Sequence, residues 1–268
     1  MEHARASALT ALERALRRDR VQVVAGLALV LAPVWIWLAR ASLDMYGDMS
    51  GPSAWMMRAT WDTTYTLLIF AMWIAMMVGM MLPSAAPAVL IYARVARSGA
   101  EPEHPVLRAH LFAAGYLVAW AAFSAAATLV QRELAKSALV TPMMEAASPW
   151  LAAALLVVAG AYQWSPAKRS CLTRCRTPAA FLVERWRPGT LGALRLGAEH
   201  GVYCVGCCWA LMALLFAGGV MSLPWIAGLS LFVLFEKLGP ASAWSDRAAG
   251  LALALAGVAL ALAQLVRG

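Results

Sequence analysis

Seven apolar runs, near residues 21–39, 65–93, 109–130, 149–164, 196–217, 222–236 and 248–266, take up most of this 268-residue chain. Each is close to the length that crosses ~30 Å of hydrocarbon as a helix, although 149–164 and 222–236 are short. A bilayer interior offers no water to backbone N–H and C=O groups, so a spanning segment has to satisfy them internally. With 62% hydrophobic and 13% charged residues, the chain departs from the ~25% charge of soluble domains. The fold expected is therefore all-α: a polytopic transmembrane helical bundle of about seven spans. Residues 21–268 form its single domain. Residues 1–20, rich in Arg with interspersed Leu, read as a short amphipathic helix on the cytoplasmic surface.

Orientation follows from the cations. If the N-terminus is cytoplasmic, 17 of the 22 Lys and Arg residues lie in cytoplasmic segments: 1–20, 94–108, 168–195 and 237–247. The bias toward one side predicts N-in and, with seven spans, C-out. The net charge of +8 is thereby accounted for by an anionic membrane face, and nucleic acid is not an expected partner. Arg residues, an apolar stretch and Ala39-Arg40-Ala41 imitate a secretory leader. The apolar stretch exceeds the 7–15 residues of a signal core, so an uncleaved anchor is expected.

All five cysteines fall in two runs, Cys171-Leu172-Thr173-Arg174-Cys175 and His200-Gly201-Val202-Tyr203-Cys204-Val205-Gly206-Cys207-Cys208. On a helix, His200, Cys204, Cys207 and Leu211 share one stripe, with Cys208 on its flank. Thiolates beside an imidazole make a soft site for copper(I) or zinc. Gly201 and Gly206 leave room for a neighbouring helix. Cys171 and Cys175 sit in the preceding cytoplasmic connection, where a CxxxC can chelate on a helical turn and where thiols stay reduced. Lys168, Arg169, Arg174 and Arg176 surround them, an arrangement expected to favour thiolate. A lone cysteine in an apolar helix is usually packing, but CxxCC with a histidine four residues earlier is a denser pattern.

The second span carries Met76, Met77, Met80 and Met81 on one broad face with Trp73. Thioethers hold copper(I) weakly and without charge, and methionine also serves as a gap-filler between helices. Asp44-Met45-Tyr46-Gly47-Asp48-Met49 and Met56-Met57 place further soft sulfur on the opposite side. Pro83 and Pro87 should free carbonyls and bend the second span. Glu236, before Lys237 at the end of the sixth run, is an ionisable group at membrane depth and hence a site candidate. The alternative is an interfacial Glu236 with Lys237 snorkelling as an anchor. Glu199 is a candidate to orient the His200 ring. No phosphate-binding glycine loop and no Ser/His/Asp arrangement stands out, which argues against ATP hydrolysis.

The run Trp73 to Ser84, then Tyr162-Gln163, Lys168, "CLTRCRTP" and "HGVYCVGCCWALMALLFAGGVMSLPWIAGL" up to Glu236-Lys237 resembles a bacterial family of predicted metal-binding integral membrane proteins. The resemblance extends from the second to the sixth span and rests most specifically on CxGCCW. It implies Met76, Met77, Met80, Met81, Cys171, Cys175, His200, Cys204, Cys207, Cys208 and Glu236 as motif positions, and a location in the bacterial inner membrane.

The function expected is binding of a soft metal, copper(I) ahead of zinc, for handling, transport or metalloenzyme assembly. The partners are the lipid bilayer, the ion and a periplasmic or membrane metalloprotein. Carboxylate cages for magnesium or calcium are missing from the pattern. The alternative from another class is a membrane thiol-disulfide oxidoreductase exchanging electrons between Cys171/Cys175 and Cys204/Cys207. Its thiols would lie on the cytoplasmic side, away from where oxidative folding occurs.

Overall fold

The computed structural model describes residues 2–47, 60–99, 103–239 and 243–267, with side chains placed for 13–47, 60–99, 103–239 and 247–266. The methionines at 49, 56 and 57 lie outside the described residues. The described chain is helical throughout, its sole β feature being one isolated bridge, Val140 to Ala146. In order come α1 (Glu2–Met45), α2 (Thr63–Ser98), α3 (Pro105–Lys136), α4 (Pro149–Gln163), α5 (Pro166–Arg176), α6 (Pro178–Arg185) and α7 (Gly189–Ala213). After α7, a helical turn, Leu215–Gly218, leads to α8 (Leu223–Leu238) and α9 (Ala243–Arg267).

Among the described residues, five helices are long and apolar enough to cross a membrane: Glu13–Met45, Thr63–Ser98, Pro105–Lys136, Gly189–Gly218 and Arg247–Val266. The other two expected spans are the short helices α4, of 15 residues, and α8, of 16. At 1.5 Å per residue they reach roughly 22–24 Å, less than a full hydrocarbon thickness. The connection expected between the fourth and fifth runs is itself helical, as α5 and α6. Residues 2–20 continue into the first span as one helix.

Local chemistry explains the helix starts. Ser148 and Ser165 each precede a proline; their hydroxyls accept from the N–H of Trp150 and Lys168, while the proline occupies the first turn, where its missing N–H costs nothing. Within α2, Pro83 cannot donate to the carbonyl four residues back, Gly79. The Trp35 indole of α1 donates to that oxygen at 3.2 Å. The proline break is thus filled from a neighbouring helix, as an apolar environment requires.

Glycines set the approach of α3 to α7. A Cβ on Gly115 would collide with the Leu194 carbonyl, and one on Gly197 with that of Phe112. One on Gly201 would sit 2.8 Å from the Tyr116 carbonyl oxygen. Small residues that let backbones touch are the means by which helices associate where no hydrophobic drive separates them from lipid. Gly160 of α4 meets α9 likewise, with a Cβ 2.7 Å from the Gly250 carbonyl oxygen.

Gly197→Ala should therefore unfold at lower temperature in detergent, the overpacking costing at least about 1–3 kcal/mol. Gly228, whose added Cβ would meet nothing within 4 Å, provides the control. Gly228→Ala should unfold at or above the parent temperature, and equal shifts for the two variants would refute the contact argument.

Candidate metal centre

The buried face of α7 carries His200, Gly201, Cys204, Cys207, Cys208 and Leu211, as the helical stripe anticipates. α5 lies against it and brings Cys175 from its last turn. The Sγ atoms of Cys175, Cys204 and Cys207 all lie within 4.8 Å of one another, and Cys175 and Cys207 are 3.9 Å apart. Cys204, Cys207 and Cys208 are buried and Cys175 is half-buried. Cys208 Sγ stands 3.3 Å from Cys207 Sγ. All five cysteines are free thiols. Metal–sulfur bonds of ~2.3 Å put three sulfurs of a trigonal site ~4 Å apart, so this cluster has the dimensions of a ligand set.

Cys204 is the polar hub. Lys237 Nζ donates to its sulfur at 2.8 Å and to Ser84 Oγ at 2.7 Å, and the Ser84 hydroxyl in turn donates to the Met81 carbonyl at 2.8 Å. The Tyr116 hydroxyl lies 2.9 Å from Cys204 Sγ and 3.1 Å from the same Met81 carbonyl. Lys237 is buried, so it is an internal cation, and of the two sequence alternatives the snorkelling anchor is the one that fails. The apolar stem fits both roles; the partner at its tip decides between them, and that partner comes from another helix.

A second buried charge pair holds α5 in place. Lys168 Nζ donates to both carboxylate oxygens of Glu236, at 2.9 and 2.8 Å, with side chains 1% and 4% exposed. Arg176 Nε adds a bond to the Glu236 carbonyl at 2.7 Å, and the Tyr162 hydroxyl donates to the Gly206 carbonyl at 2.6 Å. Glu236 is thus engaged by α5 at both oxygens, and its neighbour Lys237 reaches the thiol.

The remaining expected positions divide. Cys171 packs where a Cβ on Gly206 would come within 2.7 Å of its sulfur, outside the three-thiol group. Burial pushes the Cys171 thiol up, against the expectation from its basic surroundings. Those cations are committed elsewhere, Lys168 to Glu236 and Arg174 to Glu184. His200 is buried among rings of Phe112, Tyr116 and Phe181, with centroids 5.2–6.0 Å away, and its Nδ1 has no hydrogen-bond partner. It is not part of the three-thiol group. Glu199 pairs with Arg185 and lies 3.9 Å from Arg187, so it does not orient the imidazole. Met76, Met77, Met80 and Met81 are all buried, in the same apolar cluster as Cys204, Cys207 and Cys208. The sequence pattern does not mark Tyr116 and Ser84 as thiol-site residues; Lys168 stands out only among the cations around Cys171 and Cys175, and Lys237 only beside Glu236 at membrane depth.

A helical bundle with a buried cluster of thiols beside methionines defines a class suited to soft metal ions. In keeping with this, residues 70–260 match the PpoB2 family, described as copper chaperone. That stretch is more than half of the chain and contains every residue of the thiol cluster, and the chain belongs to this family. No curated protein and no solved structure matches it.

Removing one partner of the Lys168–Glu236 pair leaves a buried charge unsatisfied, a loss of roughly 3–5 kcal/mol. Glu236→Ala should lower the unfolding temperature and speed the reaction of Cys175 with a maleimide. The double variant Lys168→Met/Glu236→Leu removes both charges and should regain most of the stability. If it is no more stable than Glu236→Ala, the pair is not what holds α5.

Proposed function

We propose that the chain is a multi-pass inner-membrane copper(I) carrier. It binds one ion at Cys175, Cys204 and Cys207 and passes it to a metalloprotein on the opposite side of the membrane. The observation that carries this reading is the convergence of three sulfurs from two helices, one of them accepting from a buried ammonium. Thiolates select soft ions such as copper(I). A copper(I)–thiolate complex is anionic, and in an apolar bundle that charge needs a counter-ion; Lys237, on Cys204, supplies it.

Zinc is the nearest rival, since Cys₃His is also a structural zinc set. That set would need His200 as the fourth ligand, and the ring is packed among three aromatic side chains outside the thiol group. The three sulfurs that lie mutually within 4.8 Å match the lower coordination of copper(I), with Cys208 Sγ beside Cys207 at 3.3 Å as the neighbouring soft donor. Met76, Met77, Met80 and Met81 supply neutral thioethers beside the site, suited to a weakly held monovalent ion. Exchange between such ligands needs no change of oxidation state. The family description supports copper as the cargo. The distribution of Lys and Arg supports a cytoplasmic N-terminus and an outward C-terminus.

Purified under reducing conditions in mild detergent, the protein should carry about one copper(I) per chain. Cys204→Ser/Cys207→Ser should abolish it while the far-UV circular dichroism is unchanged, because the swaps are nearly isosteric. Elemental analysis that finds no copper in the loaded parent, or equal copper in the double variant, would overturn the assignment. For orientation, a reporter joined after Gly268 should be active only outside the cytoplasm; activity inside would reverse it.

A further inference from the structure

Three methionines outside the implied motif positions stand on segments that are joined at the end of the bundle where α1 finishes and α8 begins. Met45 closes α1, Met144 lies in the connection between α3 and α4, and Met221 precedes α8. They are 1%, 2% and 0% exposed.

Hydrogen bonds knit together the segments that carry them. Beside Met45, the Tyr46 hydroxyl donates at 2.7 Å to Glu145 Oε1, next to Met144. Beside Met221, the Val220 N–H donates at 3.2 Å to the Met144 carbonyl. The Leu223 N–H donates at 3.2 Å to Ser42 Oγ, one helical turn before Met45. Met144 has φ of 60°, a left-handed conformation that a long L side chain adopts at a cost and that persists only when its surroundings impose it.

The same cluster is continuous with the thiols. Phe216, whose carbonyl accepts from the Ala146 N–H at 2.8 Å, lies tilted against Trp73 with centroids 5.5 Å apart. From Trp73, α2 runs through Met76, Met77 and Met80 to Met81, whose carbonyl shares the Tyr116 hydroxyl with Cys204. All of these methionines belong to one buried cluster with Cys204, Cys207 and Cys208.

From this juxtaposition the geometry points to a second metal site, an all-thioether station of Met45, Met144 and Met221 that takes a monovalent soft cation. Resting on the copper(I) reading above, it is the terminal station from which the ion leaves the bundle. Neutral sulfur ligands bind such an ion more weakly than thiolates do and add no charge to an apolar site. The Glu145 carboxylate beside it lies partly open to solvent and draws cations toward that end. The ion moves between stations by ligand substitution alone, copper(I) in and copper(I) out, with no electron or proton required by the thioethers.

Silver(I), which does not oxidise in air, is the probe, with full-length protein in detergent carrying methyl-¹³C methionine. Single Met→Leu variants assign the Met45, Met144 and Met221 signals. Silver beyond the thiol equivalent should shift all three together. Replacing any one by leucine should weaken the response of the other two at least about tenfold, a loss that removal of even an outer-shell partner can bring. With all five cysteines replaced by serine the shifts should persist, beginning with the first equivalents. Unmoved signals, or saturation of the remaining pair unchanged by a Met→Leu replacement, overturn the station. Thiols that load while these methionines do not shift defeat this inference alone. Methionines that shift in a parent whose thiols hold no metal support the station and defeat only the carrier reading.

Discussion

A charge buried in an apolar bundle must find its partner inside the bundle, and the site depends on that constraint. Glu236 and Lys237 are adjacent on α8, so their side chains leave the helix about 100° apart. Glu236 takes Lys168 of α5, and Lys237 takes Cys204 of α7 and Ser84 of α2. Lys168 and Cys175 are seven residues apart, two turns on one face of α5. Clamping the first therefore aims the second. One dipeptide thus positions two of the three thiols, and neither pairing could be replaced by water at that depth.

The frame around these charges is rigid for a different reason. α3 and α7 touch backbone to backbone through Gly115, Gly197 and Gly201, so α7 has little freedom to rotate or slide. That contact fixes Tyr116 beside Cys204, since Gly201 packs on the Tyr116 carbonyl one turn before the cysteine. α2 is tied to the same level by the Met81 carbonyl and, two residues earlier, by the Trp35 bond to Gly79. Pro83 breaks the helix ladder near the thiols, and the missing donor is provided by α1. The site thus sits where close helix packing and a proline defect coincide.

Much of this was legible in the sequence, and the limits follow from what a one-dimensional pattern carries. Apolar runs gave the central parts of the long helices, because burial of the backbone dictates helix at those lengths, but not the extension of α1 back to Glu2 nor the polar helices α5 and α6. The stripe of Cys204 and Cys207 was legible because it needs only the helical repeat. The place of His200 was not. It shares the stripe, but one turn of helix separates it from Cys204, and at its depth the neighbours are Phe112 and Phe181 from α3 and α6. The pairing of Lys237 with Cys204, and the choice of Cys175 over Cys171, are facts about which helices meet, and no periodicity within a helix encodes them. The basic residues around Cys171 misled for the same reason, since their partners Glu184 and Glu236 come from other helices.

The ligand set is divided between two kinds of support, and this bears on how an ion could be both held and released. Cys204 and Cys207 stand on α7, whose position is fixed by backbone contact with α3. Cys175 stands on α5, an 11-residue helix held by side chains: the Lys168–Glu236 pair and the Arg176 bond. A short helix has little stability of its own, so the third ligand is in place only while those side chains hold it. On the copper(I) reading proposed above, two thiols would retain the ion and the third would set how readily another ligand displaces one of them. Exchange would then respond to an ion pair with no sulfur in it, Lys168–Glu236.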